Sequence, residues 1–132
     1  MSLLLEDVLE FLIENDICEE LGVDAFWDKL PEEPDKCVAV FEYDGLGIAP
    51  YEKATHRSVQ ILCREPSATL AQATAMRIFN LIRDSLDETG RIDYNGRFTQ
   101  TTLRQTPFKM GEDETNRVVY GFNMGVTTKL DS

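Results

Sequence analysis

Only one long helical stripe interrupts the short β-type runs between residues 37 and 128, and this spacing constrains the fold more than any other feature. A parallel, doubly wound sheet needs a crossover helix for nearly every strand. This chain has too few. Strands joined by hairpin-length turns pair antiparallel and bury one face under whatever helices are available. The expected class is therefore α+β: a mostly antiparallel sheet with two helices packed on one face, in the order α-β-β-β-α-β-β-β.

Residues 3–16 place Leu5, Val8, Leu9, Leu12 and Ile13 at helical spacing, with Glu6, Asp7, Glu10 and Glu14 on the opposite side and Ser2 available as N-cap. Gly22 breaks that pattern, and residues 25–30 read as a short strand stopped by Pro31-Glu32-Glu33-Pro34. Cys37 to Tyr43 is rich in β-branched and aromatic residues, so it reads as a buried strand. Residues 44–55, with Gly45, Gly47 and Pro50, form a loop of a length more often functional or mobile than silent. In residues 56–64, Val59, Ile61 and Cys63 alternate with Ser58, Gln60 and Arg64, the signature of a strand buried on one face.

The main helix spans residues 67–86. Ser67 caps it, Leu70, Ala71, Ala75, Ile78, Ile82 and Leu86 form its packing stripe, and Gly90 suits its C-terminal end. Its stripe is expected to lie on a sheet containing Val38, Val40, Val59 and Ile61. Arg91 to Tyr94 then leads through Asn95-Gly96, a strong two-residue hairpin signal, into residues 98–106. Residues 109–116 join that strand to a last one, residues 117–128, in which Val118, Tyr120, Phe122, Met124 and Val126 alternate with smaller or polar residues. At 132 residues, with no repeat or low-complexity segment, the chain is expected to be a single domain over residues 1–132.

The charge of −11 is unevenly spread. Residues 1–36 hold twelve acids against Lys29 and Lys36, a net −10, whereas the remaining twelve acids face eleven bases, a net −1. A patch of that sign repels phosphate backbones, so specific nucleic-acid binding is not expected. Apolar runs as short as Leu3-Leu4-Leu5 fall far below the roughly 20 residues of a membrane span, and no signal-peptide pattern precedes them. A soluble protein made in a reducing cytoplasm is the expectation. Cys18, Cys37 and Cys63 contain no CxxC pair, and at the ends of apolar β-runs cysteine behaves as a small hydrophobe.

Catalytic chemistry has little to build on. The single histidine, His56, has no nucleophile motif beside it and no second imidazole with which to hold zinc. Gly45 and Gly47 lack the Lys-Ser or Lys-Thr ending of a phosphate loop, and the adjacent Glu32 and Glu33 lie in a proline turn where acids ionise independently. No catalytic, cofactor-binding or metal residue is assigned, and none of these groups is expected as a partner. What stands out instead is residues 98–106, Phe-Thr-Gln-Thr-Thr-Leu-Arg-Gln-Thr, which has strong β propensity but no continuous apolar face. Such a strand suits a sheet edge or a wet interface, since threonine and glutamine offer hydrogen bonds without the desolvation cost of charge. Phe98, Gln100, Thr102 and Arg104, together with Ile48 and Tyr51 of the long loop, are the candidate subunit-contact residues.

Several strings together carry a family likeness. Leu30-Pro31-Glu32-Glu33-Pro34 leads into Cys37-Val38-Ala39-Val40-Phe41-Glu42-Tyr43; Val59-Gln60-Ile61-Leu62-Cys63-Arg64 precedes the alanine-bearing helix; and Gly111-Glu112-Asp113-Glu114-Thr115-Asn116-Arg117 leads to Tyr120-Gly121-Phe122-Asn123. In this the chain resembles the bacteriophage minor capsid and tail-terminator proteins of the head-tail junction, over nearly its whole length. The resemblance implies a non-enzymatic virion protein, assembled as a ring that is typically hexameric. Such a ring caps the tail tube and docks to the head connector, with itself, tube and connector as partners. A head-completion or stopper protein of the same connector is the neighbouring reading, and an acidic module that mimics DNA is the alternative from a different class.

Overall fold

The computed structural model describes residues 4–43 and 54–129. Its elements are α1 (Leu4–Glu14), β1 (Ala25–Trp27), β2 (Cys37–Tyr43), β3 (Ala54–Glu65), α2 (Ala68–Ser85), β4 (Arg91–Tyr94), β5 (Arg97–Leu103), β6 (Phe108–Glu112) and β7 (Val118–Lys129). All seven strands lie in one sheet, ordered β1-β2-β3-β7-β5-β4, with β6 also on β7. The pairings are antiparallel except β1 with β2. The fold is thus the expected α+β class.

The spine of the sheet is the pairing of β3 with β7, in register from Ala54↔Lys129 to Glu65↔Val118. On the other side of β7, β6 pairs with its first residues and β5 with Gln100–Leu103 opposite Thr127–Met124. The stretch read as a plain connection between the last two strands therefore holds a strand of its own. Its burial shows no period of two, and its pairing is interrupted by a register shift between Lys109 and Gly111.

One face of the sheet carries the core. Val38, Val40, Val59, Ile61, Cys63, Phe122, Met124 and Val126 are almost wholly buried there beneath Leu4, Leu5, Val8, Leu9 and Leu12 of α1 and Ala75, Ile78 and Ile82 of α2. Ser67 caps α2 as expected, its hydroxyl accepting from the Leu70 N–H at 3.2 Å. Leu70 itself is not in the stripe: it is 52% exposed. The buried line runs through Ala71, Ala75, Ile78 and Ile82, and Leu70 sits about 100° around the helix from Ala71, on the flank away from Phe79. Phe79, absent from the expected stripe, is buried and meets Phe122 edge-on at 5.4 Å.

Asp7 departs from its expected place on the solvated side of α1. It is 3% exposed, and its carboxylate accepts from Arg97 Nε at 2.7 Å and from Asn95 Nδ2 at 3.3 Å. The Asn95-Gly96 hairpin is the one the sequence signals, with both residues at positive φ, +52° and +87°. That turn is what brings Asn95 and Arg97 together over the helix. A buried charge with both a cation and an amide as partners is satisfied, whereas either partner alone would be left uncompensated.

The expectation that the polar strand lies at a sheet edge is also overturned. The start of β5 pairs with β4 and its end with β7, and the Thr101 N–H donates to the Gly90 carbonyl at 2.8 Å, so β5 is an interior strand. Thr99 and Thr101 face the core and are each 3% exposed. Their hydroxyls lie 3.3 Å apart, that of Thr99 donates to the Ile92 carbonyl, and that of Thr101 is 3.1 Å from the buried Tyr94 hydroxyl. Threonine can therefore take the place of an apolar residue at these two positions because both hydroxyls have partners.

Candidate functional site

The opposite face of the sheet carries those expected contact residues that lie within the described part of the chain. Cross-strand register builds it in rows. Thr102, Gly125, Ser58 and Tyr43 follow one another across β5, β7, β3 and β2; Gln100, Thr127 and His56 form the next row, and Asn123, Gln60 and Phe41 the next on the other side. Period-2 alternation places Phe98, Gln100 and Thr102 of the expected contact set on this face, and Arg104, just past the end of β5, reaches across it. All four are exposed, Phe98 at 76%. Ile48 and Tyr51, with most of the long loop, lie outside the described residues.

Arg104 organises the middle of this face. Its backbone N–H donates to the Asn123 carbonyl at 3.2 Å, anchoring the end of β5, and its Nη1 donates to the Tyr43 hydroxyl at 3.1 Å. To reach Tyr43 the guanidinium crosses above Gly125, where a Cβ would come within 3.0 Å of Nη2. Glycine at 125 and serine at 58 thus leave a trough for the arginine to lie in. The resulting hollow, about 420 Å³, is lined by His56, Ser58, Gln100, Thr102 and Arg104. His56 Nδ1 lies 2.9 Å from the Thr127 hydroxyl, and the Gln60 amide donates to Asn123 at 3.1 Å. Both of these hydrogen bonds join neutral side chains.

Elsewhere this face is closed by the chain itself. Phe26, Cys37 and Ala39 are buried beneath Leu30 and Phe41. Arg64, only 3% exposed, donates to the Pro34 carbonyl at 2.6 Å and holds the proline turn down. Arg117 ties the same turn to the β6–β7 hairpin by donating to the Glu32 carbonyl and, at 2.6 Å, to Asp113 Oδ2. Burial raises the pKa of Asp113, but donation from the Arg117 and Thr115 N–H groups, the Thr115 hydroxyl and the Arg117 side chain outweighs it and brings the value down to about 2. The turn is therefore held by a carboxylate that stays ionised through the neutral range.

The remaining reactive groups are muted. Burial pushes the Cys18 thiol up to about 12, aided by the nearby Asp24, and raises Cys37 and Cys63 as well, so none is poised as a thiolate. Among the described residues no three His, Cys, Asp or Glu side chains come together as a metal site, and no helix is long and apolar enough to cross a membrane. Sequence reasoning missed Tyr43, Ser58 and Gly125 as parts of the face. The signal was present in the glycines of the last strand, since glycine inside a strand often marks a close approach of other atoms.

The chain is thus a small α+β domain with its helices on one side of the sheet and a polar, glycine-floored face on the other. The chain belongs to the bacteriophage tail terminator family: the family described as "Bacteriophage tail terminator protein" matches residues 11–130. Members of that family are structural components of the virion, not enzymes. A solved structure with 9% sequence identity superposes with a TM-score of 0.56, covering 96% of this chain and 90% of the other, and shares the fold. Among curated proteins, none matches the sequence.

Proposed function

We propose that this subunit assembles with copies of itself into a ring, six being the number the family resemblance implies. The ring ends growth of the tail tube and gives the head connector a surface on which to dock at the head-tail junction. The observation that carries this reading is the family match over residues 11–130. It favours a terminator over a stopper protein of the connector. The exposed polar face supports it, because Phe98, Gln100, Thr102 and Arg104 offer an aromatic anchor and adaptable hydrogen bonds on one continuous surface. Assembly in the host cytoplasm before incorporation into the virion follows from the same reading.

Native mass spectrometry tests it. The wild-type chain should populate one closed oligomer well above the monomer. Thr102→Glu, which places a carboxylate at the centre of the exposed face, should shift the population toward monomer by about tenfold while leaving the melting temperature unchanged. Unaltered oligomerisation of that variant would remove the β5 face from the subunit contact.

A further inference from the structure

Arg104 has no carboxylate within ion-pair distance among the described residues; its one side-chain partner is the neutral Tyr43 hydroxyl. On the other side of the subunit, α1 shows the converse. Glu6, Glu10 and Glu14 repeat every fourth residue, so they stand in one row about 6 Å apart along the helix. No cation within the described residues pairs with any of the three. Like charges at this spacing oppose the helix, and Glu14 adds to the cost by lying at the C-terminus, where α1 has no basic residue in its last turn. The row and the arginine lie on opposite sides of the sheet, so they cannot meet within one copy. Two copies stacked side to opposite side bring them together, and such a heterologous contact is the kind that repeats into a ring.

We propose that the hollow around Arg104 on one copy receives a carboxylate of the Glu6-Glu10-Glu14 row on α1 of the next. This rests on the ring reading and names its charged contact. The hollow accepts the glutamate because Gly125 and Ser58 keep its floor low, with Gln100, Thr102 and His56 lining it around the guanidinium. A second copy fits better than nucleic acid, because residues 1–36 carry a net −10 and would repel phosphates, yet the same acids complement an arginine with a spare fork of donors.

Sedimentation velocity across a concentration series, with a charge swap, provides the test. Arg104→Glu alone and Glu10→Arg/Glu14→Arg alone should each weaken self-association by about tenfold or more, at unchanged melting temperature. The three substitutions combined in one chain should restore association to near the wild-type value. Wild-type association in Arg104→Glu, or a combined chain no better than either parent, would overturn the contact and leave the ring reading standing. A wild-type chain that stays monomeric at every concentration would overturn both.

Discussion

Replacing Ile78 by aspartate should leave the chain without a cooperative melting transition. Ile78 is wholly buried at the centre of the stripe that α2 lays on the sheet, among Val59, Ile61 and Phe122 in the same core. The substitution removes apolar burial and places a carboxylate where no cation or donor awaits it. Together these cost about 5 kcal/mol or more, against a total stability on the order of 5–15 kcal/mol for a domain of this size. Circular dichroism during heating reads the result directly. A sharp transition at the wild-type temperature would show that α2 does not pack as described.

The second large effect comes from the smallest possible change. Gly121→Ala adds one methyl to β7, and that carbon would stand 2.1 Å from the Ile61 carbonyl oxygen. The obstacle is backbone in the spine of the sheet, so relief requires β3 and β7 to move apart, and a loss of about 3 kcal/mol is expected. Gly125→Ala is the natural control. There the new methyl meets only the Arg104 guanidinium, the far end of a flexible side chain that can swing aside, so stability should be near wild type. Denaturant midpoints for the two variants that fall together would contradict this account of the sheet.

The contrast between these two glycines also shows what the sequence can and cannot express. Alternation in residues 117–128 identifies the last strand and its buried side, because burial on one face imposes a period of two. It does not say which neighbour lies beside each small residue, so a backbone clash at 121 and a side-chain trough at 125 look alike. The helices were legible for the same reason: a stripe of apolar residues at a period near 3.6 leaves few alternatives. Leu70 fits the stripe in sequence but not in the fold, because apolar character does not distinguish the flank of a helix from its buried line in the first turn.

Polar residues were the harder case. Asp7 falls on the polar side of the helix by its position alone, but its partners Asn95 and Arg97 are some ninety residues distant along the chain, beyond the reach of local periodicity. Thr99 and Thr101 hid the apolar face of β5 by the same mechanism, since their inward hydroxyls are satisfied by Ile92 and Tyr94. That made an interior strand look like an edge. The outward half of the same strand, Phe98, Gln100 and Thr102, is exposed. Tyr43 and Ser58, brought beside Arg104 by sheet register alone, could be found only once the strand order was known.

The most direct test of the central claim is electron microscopy of tail tubes grown from the cognate tube protein, with and without this chain. With the chain present, tubes should stop growing and carry a ring at one end, and Thr102→Glu should leave more ends bare. Tubes of the same length distribution in both preparations, with no density added at either end, would contradict the assignment as a terminator that caps the tube.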